Sequence, residues 1–281
     1  MTQSKFITTN GIQLHYLEYG NTGPAIVLMH GLTANAHCFD GLIEVGLAEK
    51  YRIITVDLRG RGLSDQPDTG YTMADHALDI IGLLDGLEYQ QVILGGHSFG
   101  ALLTLYMAKH YPERVEKMLL LDAAAQLHPD TRELLKPTLS RLEQSFVSFE
   151  DYLHKIQQMP FLEEAWSDTM LGYYQADVLM HNDGTVTPRS QAKHMLAAVD
   201  GALGEPWTEY LPDISQPGIL INATGAYGAK GAPPLLPKDL ALETVQTLPN
   251  CQYQEVSGNH QTMLYEQGAT EILKTIRGFI E

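Results

Sequence analysis

The chain has 281 residues, of which 44% are hydrophobic and 19% are charged, and its formal net charge is −16. This composition is ordinary for a folded globular protein, and the length suits one large core with an insertion. The acidic balance excludes a basic face for nucleic acid and disfavours anionic membrane surfaces, and no apolar stretch approaches the ~20 residues of a membrane span.

The first ten residues and the two cysteines indicate the cellular compartment of the protein. Residues 1–10 contain no apolar signal-peptide region, and Cys38 and Cys251 lie far apart in the sequence. A disulfide framework is therefore not indicated, and free thiols in a reducing compartment fit better. We expect a cytoplasmic protein that acts on a small molecule, with no nucleic-acid or membrane partner. Whether it is a monomer or a homodimer stays open.

Apolar runs and turn signals predict strands that alternate with helices. A hairpin is expected first, with strands at 7–9 and 12–18 joined by a primed turn at Asn10-Gly11. Buried strands of the parallel type follow at residues 25–29, 52–56, 92–94, 118–121, 218–222 and 252–256. Helices are expected at residues 39–50, 72–87, 101–111 and 262–280. The alternation predicts an α/β fold with a mainly parallel sheet.

This alternation stops between about residues 125 and 207. Amphipathic helices are predicted there at residues 130–146, 149–159, 162–174 and 189–198, with no strand between them. We therefore expect a core formed by residues 1–124 and 208–281, with a helical insertion at 125–207.

The segment Gly96-His97-Ser98-Phe99-Gly100 lies between a predicted strand and a predicted helix. In that context the Gly-x-Ser-x-Gly pattern indicates a nucleophile elbow, a tight turn that lifts the serine hydroxyl clear of the backbone. Ser98 is therefore the candidate nucleophile. The five-letter pattern also arises by chance, so the prediction depends on the segments around it.

Three further segments follow predicted strands in a matching order. They are His30-Gly31-Leu32-Thr33, Asp57-Leu58-Arg59-Gly60 and Ser257-Gly258-Asn259-His260. Together with the elbow they resemble the α/β-hydrolase family over nearly the whole chain. The resemblance implies an eight-stranded, mostly parallel sheet with helices on both faces and a helical cap inserted after the sixth strand. It also implies that Asp57 and Arg59 are paired charges that fix a loop.

The same resemblance assigns the catalytic base to His260, which follows the last strand with Gly258 before it. Acyl transfer by a serine needs such a base and an acid that orients it. Most of the family carries the acid after the strand predicted here at 218–222, but Gly228 stands where that carboxylate is expected.

Asp122 is the preferred acid, because it ends the strand at 118–121 and so lies at the same sheet edge as Ser98. Haloalkane dehalogenases and the branch of the family that hydrolyses acetamidomethylene-succinate place their acid after this strand. The sequence resembles the latter branch. Asp239 is the alternative acid, although its position after Pro237 is typical of a helix start.

By the same resemblance, the backbone N–H groups of Leu32 and Phe99 are expected to bind the oxyanion. Phe39 and Tyr227 are expected near the substrate because their loops leave the carboxyl edge of the sheet. Charged residues of the insertion that could bind a carboxylate are Arg141, Arg189, Lys155 and Lys193. Aromatic residues there that could shape an apolar pocket are Tyr152, Phe161, Trp166, Tyr173, Tyr174 and Trp207.

These residues predict a serine hydrolase that opens a small carboxylic ester or amide through an acyl-enzyme on Ser98, with no metal and no cofactor. Cleavage of an enol lactone or of a carbon–carbon bond by the same residues is an alternative, as is a ligand receptor with vestigial activity. Dehalogenase and epoxide hydrolase reactions are disfavoured, because those enzymes carry a carboxylate at the elbow. His30 and His97 are expected to have no catalytic role.

Overall fold

The computed structural model describes residues 2–125, 138–162, 165–229 and 231–281. Within these residues, an eight-stranded sheet forms the centre of the molecule. Its strands are β1 Gln3–Thr9, β2 Ile12–Tyr19, β3 Ala25–Met29, β4 Arg52–Val56, β5 Val92–His97, β6 Val115–Leu121, β9 Gly218–Ala223 and β10 Cys251–Val256. Their order is β1-β2-β4-β3-β5-β6-β9-β10. The two pairings of β2 are antiparallel and the others are parallel, which confirms the predicted sheet.

Helices pack against both faces of the sheet. In β3, Val27 and Met29 contact one layer while Ile26 and Leu28 contact the other. This burial on two sides explains why the parallel strands are continuous apolar runs rather than alternating patterns. The first layer contains α2 Met73–Gly86, α3 Phe99–His110 and α8 Lys238–Thr247, and the second contains α1 Asp40–Glu44 and α9 Glu266–Ile280. No helix in the described part of the chain is both long and apolar enough to cross a membrane.

The ends of some elements differ from the prediction. The primed turn is confirmed, since Asn10 and Gly11 both have positive φ, 44° and 77°. The predicted helix at 39–50 is interrupted: α1 ends at Glu44, and Gly46 adopts a left-handed φ of 100° that a continuing helix does not allow. The last helix begins at Glu266, after a short 3₁₀ turn.

Between β6 and β9, the described residues contain helices and a small second sheet. The expectation of no strand here is wrong, because β7 Val178–Met180 and β8 Val186–Pro188 form an antiparallel pair. Residues 130–137 of the helix expected at 130–146 lie outside the described residues; residues 138–141 are helical, but residues 142–146 are not. Residues 163 and 164 of the helix expected at 162–174 also lie outside, and the described helix there begins only at Met170. The other helices here are α4 Phe149–Gln157, α5 Met170–Asp177 and α6 Ala192–Leu203, and the short α7 Trp207–Tyr210 follows them.

The carboxyl ends of the parallel strands meet at one edge of the sheet. Ser98 directly follows β5, and Asp122 directly follows β6. The loop after β3 carries Leu32, and the loop after β10 carries His260. Ligands of open parallel sheets bind at this edge, so the fold places the predicted site residues where chemistry is expected.

Candidate active site

Ser98 lies in a strained turn between β5 and α3. Its φ of 55° and ψ of −116° are unfavourable for any residue with a side chain. A Cβ atom added to Gly96 would lie 2.2 Å from the backbone carbon of Gly100, and one added to Gly100 would lie 1.9 Å from the carbonyl oxygen of Met29. The turn therefore requires glycine at both flanking positions, as the sequence pattern predicts.

Asp122 and His260 form a short hydrogen bond at the sheet edge. His260 Nδ1 donates to Asp122 Oδ2 at 2.7 Å, and the aspartate is almost fully buried. Asp122 Oδ1 accepts two more hydrogen bonds, from the backbone N–H of Ala223 at 2.8 Å and from Nδ2 of Asn222 at 2.9 Å. The carboxylate is thus fixed from β9, and it holds the imidazole in the tautomer that leaves Nε2 free to accept a proton.

His97 supports His260 from the other side. The two rings lie with centroids 4.4 Å apart, and His97 Nε2 is 2.7 Å from the carbonyl oxygen of His260. Because a carbonyl oxygen accepts only, Nε2 of His97 carries the proton. Burial and the adjacent His260 hold the pKa of His97 well below its usual value, so the ring is neutral. Sequence reasoning missed this contact, because nothing in the pattern shows that the elbow histidine touches the last loop.

A cavity of about 220 Å³ opens at this site. Ser98, Asp122 and His260 line it, together with Leu32 and Phe99. In the described part of the chain, no hydrogen bond joins the Ser98 hydroxyl to the imidazole. Such bonds are often long in unliganded enzymes and tighten when substrate binds.

The remaining walls of the cavity are mainly apolar. Among the described residues that line it there is no lysine or arginine. Tyr227 lies edge-on to the ring of His260, with centroids 5.6 Å apart, and Tyr173 faces the cavity from α5. The apolar lining side chains are Ala34, Leu102, Ala123, Ala124, Val199, Ala202, Leu235, Leu236, Leu240 and Leu264.

Two of the predicted substrate contacts do not reach the cavity. Phe39 is fully buried in the apolar core on the face of the sheet that also carries α1 and α9, because the 3₁₀ turn before α1 directs it inward. Arg189 lies at the end of β8, where its backbone N–H donates to the carbonyl oxygen of Asp177 at 2.8 Å. Neither side chain lines the cavity as the structure describes it.

The charged residues Asp57 and Arg59 fix a loop, but they are not paired with each other. Asp57 accepts from Nδ1 of His15 at 2.7 Å and from two backbone N–H groups. Arg59 forms a two-pronged ion pair with Asp79. Neither residue lines the cavity. Both therefore hold the loop as expected, but through His15 and Asp79 rather than through each other.

Arg141 and Asp239 are not among the described residues that line the cavity. Arg141 is buried and donates to Asp177 at 2.6 Å and to the hydroxyl of Tyr152 at 3.0 Å. Asp239 is exposed in the first turn of α8. This second candidate acid therefore makes no contact with His260 in this structure. The described residues also contain no cluster of three or more His, Cys, Asp or Glu side chains that could hold a metal ion.

The chain is similar to proteins of the α/β-hydrolase fold in both sequence and structure. The protein-family profile described as alpha/beta hydrolase fold matches residues 24–160. The 2-(acetamidomethylene)succinate hydrolase of Mesorhizobium japonicum is 34% identical over 143 residues, which is 51% of each chain, so the match spans about half the length of that relative. The crystal structure of E-2-(acetamidomethylene)succinate hydrolase superimposes with a TM-score of 0.86 and 24% identity, over 100% of this chain and 99% of that one. The enol-lactonase from Burkholderia xenovorans LB400 superimposes with a TM-score of 0.74 and 20% identity, over 98% and 99%.

Proposed function

Because this chain is an α/β-hydrolase by its fold, we propose that it is a serine hydrolase that cleaves a small carboxylic ester or linear amide through an acyl-enzyme on Ser98. The observation that carries the proposal is the 2.7 Å hydrogen bond between His260 Nδ1 and Asp122 Oδ2, next to a strained serine in the same cavity. A nucleophile, a base and an acid that orients the base are the three groups that serine acyl transfer requires.

In the first half-reaction, Ser98 Oγ attacks the substrate carbonyl carbon while His260 Nε2 takes the hydroxyl proton. The tetrahedral intermediate collapses, the ester or amide bond breaks, and the alcohol or amine leaves with the proton that His260 returns. In the second half-reaction, water attacks the acyl-enzyme with His260 again as the base. The carboxylic acid leaves and the Ser98 hydroxyl is restored. Asp122 stabilises the imidazolium in both halves and is not itself protonated.

The oxyanion of each intermediate is expected between the backbone N–H groups of Leu32 and Phe99. Both residues line the cavity beside Ser98. Phe99 is the first residue of the 12-residue α3, so the partial positive charge of that helix terminus lies at the same place. Hydrogen-bond donors that are already in position stabilise the transition state without reorganisation of the site. Removing one such donor typically raises the activation free energy by about 2.7–4 kcal/mol.

The apolar lining supports an uncharged, apolar acyl or alcohol group as the substrate class. An anionic group next to Leu102, Leu236 and Leu240 would lose its hydration with no cation to replace it among the described lining residues. The relative of Mesorhizobium japonicum carries succinate in its name, so this preference would distinguish the present chain from it.

The inserted segment supports a role as a lid. Val199 and Ala202 of α6 and Tyr173 of α5 line the cavity opposite the sheet edge. We therefore propose that residues 125–207 form the cap and that 1–124 and 208–281 form the core. That the reaction needs no metal or cofactor and that the protein is cytoplasmic stay predictions. Whether it is a monomer or a homodimer stays open.

Hydrolysis of a series of p-nitrophenyl esters, from acetate to hexanoate, tests the proposal. We expect sustained turnover, kcat/KM that rises with acyl length until the cavity is filled, and loss of nearly all activity in Ser98→Ala. Ser148→Ala, which removes a helix-capping hydroxyl remote from the cavity, is the matched control and should keep full activity. A single burst that stalls would favour a ligand receptor. Cleavage of enol lactones alone would favour a lactonase, and cleavage of β-diketones alone would favour a carbon–carbon bond hydrolase.

A further inference from the structure

Arg61 is a fully buried cation that the proposed reaction does not yet use. Its exposed fraction is 0%, and no carboxylate pairs with it in the described part of the chain. Its Nη2 also has no hydrogen-bond partner there. Burial lowers the pKa of Arg61 to about 9, which still leaves it charged at neutral pH. A buried charge without a counter-ion opposes folding, so its presence calls for another reason.

Arg61 contacts both residues that are proposed to bind the oxyanion. Its Nε donates to the carbonyl oxygen of Leu32 at 2.9 Å. Its guanidinium carbon lies 5.3 Å from the ring centroid of Phe99, in cation–π contact. Leu32 belongs to the loop after β3 and Phe99 to the start of α3, so one side chain joins the two halves of the oxyanion site.

The guanidinium of Arg61 is held in place by groups other than Leu32 and Phe99. Nη1 donates to the carbonyl oxygen of Arg59 at 2.6 Å and to His76 Nε2 at 2.8 Å. His76 Nδ1 donates to the carbonyl oxygen of Thr72 at 2.8 Å, which leaves Nε2 as the acceptor that Arg61 needs. The ring of His76 also packs edge-on against Phe99, with centroids 5.1 Å apart. Arg61 therefore connects α2 and the loop after β4 to the oxyanion site as a rigid unit.

We propose that Arg61 is a positioning residue of the oxyanion site, which keeps the Leu32 loop and Phe99 in register and adds a fixed positive charge behind the developing oxyanion. This inference rests on the proposed function of Ser98. Groups that act on charge formed in the transition state change kcat, whereas groups that bind the substrate ground state change KM. Loss of Arg61 is therefore expected to lower kcat and to leave KM nearly unchanged.

The test compares wild type with Arg61→Met, which removes the charge at similar length, and with Arg61→Lys, which keeps the charge but loses the planar fork. Two inhibitors separate the roles: an alkyl trifluoromethyl ketone, which forms an anionic tetrahedral adduct with a nucleophilic serine, and the matching methyl ketone. For Arg61→Met we expect kcat and trifluoromethyl ketone affinity each to fall about 10²-fold. KM and methyl ketone affinity should stay within about twofold, and Arg61→Lys should recover about tenfold of the loss and keep the remaining loss of about tenfold.

Equal losses for both ketones, or a kcat within threefold of wild type in Arg61→Met, would overturn the proposal. If Arg61→Met does not unfold cooperatively in urea, Arg61→Lys alone carries the test: its missing fork should lower trifluoromethyl ketone affinity about tenfold and leave methyl ketone affinity unchanged, and no selective loss would overturn the proposal. Failure of the proposed function is recognised separately: wild type itself would then not prefer the trifluoromethyl ketone over the methyl ketone.

Discussion

Asp122 accepts hydrogen bonds from three groups, and only one of them is His260. The other two, from Asn222 and Ala223, belong to β9, the strand that carries the acid in most α/β-hydrolases. Strand β9 thus holds the carboxylate of the proposed acid, which directly follows β6. A carboxylate held by two donors besides His260 can orient that imidazole at little further entropic cost.

Asp122→Asn is expected to lower kcat on the order of 10⁴-fold, because an amide at this position stabilises the wrong tautomer of His260 and cannot balance the imidazolium. Ester hydrolysis at saturating substrate measures the effect. Asp239→Asn is the matched control and should retain wild-type turnover, since that exposed side chain makes no contact with His260. Near-normal turnover of Asp122→Asn together with an inactive Asp239→Asn would identify Asp239 as the acid that orients His260.

The sequence indicates some candidate site residues because local pattern encodes their position in the fold. Glycines at positions 96 and 100 signal the elbow, and Gly228 in place of a carboxylate directs attention to Asp122. Phe39 and Arg189 could not be judged in this way. Whether a side chain at a loop end faces a cavity or the core depends on the turn it occupies and on partners distant in sequence, such as α5 for the turn that carries Phe39.

The elbow shows how tightly two elements are joined. The position of Gly100 brings the start of α3 against the backbone of Met29 in β3, which leaves no space for a Cβ atom. Met29 ends β3, directly before the loop that carries Leu32. The geometry of the proposed oxyanion site therefore depends on the packing between α3 and β3.

Gly100→Ala is expected to lower the free energy of unfolding by on the order of 3 kcal/mol, because its Cβ would lie 1.9 Å from a backbone oxygen and α3 must shift. Urea unfolding followed by circular dichroism measures this change. In Gly278→Ala, a substitution on α9 with open space around the added atom, stability should rise by about 0.5–1 kcal/mol. An unchanged midpoint in Gly100→Ala would show that the contact is not rigid.

Among the elements, long apolar runs predict the strands of the central sheet and their neighbouring helices. The β7–β8 pair could not be predicted, because each strand has only three residues. Over so few residues, the spacing of apolar side chains does not distinguish a strand from a short helix. The break after α1 could not be predicted for a different reason. In the sequence, Gly46 looks like a glycine that a helix can tolerate, and only the structure shows its left-handed φ.

Across the whole molecule, several histidines are buried in the neutral form. Burial lowers the pKa of His30 to about 4 and holds the pKa values of His76 and His97 well below the usual value. His30 Nδ1 donates to the carbonyl oxygen of Gly31, while its Nε2 accepts from the backbone N–H of Leu58. Composition shows eleven histidines but gives no information on which of them are buried.

Acid is therefore expected to destabilise the protein from about pH 6.5 downward. The unfolded chain binds protons near pH 6.5 that the folded chain binds only near pH 4 at His30, so this residue contributes full stability above pH 6.5 and loses it as pH falls to 4. The slope for one such group is at most about 1.4 kcal/mol per pH unit. Urea unfolding at pH 7, 6 and 5 should show a shallower pH dependence for His30→Asn than for wild type. Identical slopes would mean that the pKa of His30 is the same in the folded and the unfolded state.

Covalent labelling of the intact protein with a fluorophosphonate, followed by peptide mass spectrometry, shows directly whether Ser98 is the activated nucleophile. We expect one phosphonyl adduct, on Ser98, that is absent from Ser98→Ala and forms much more slowly in Asp122→Asn. An adduct on another residue, or undiminished labelling of Ser98→Ala, would contradict it.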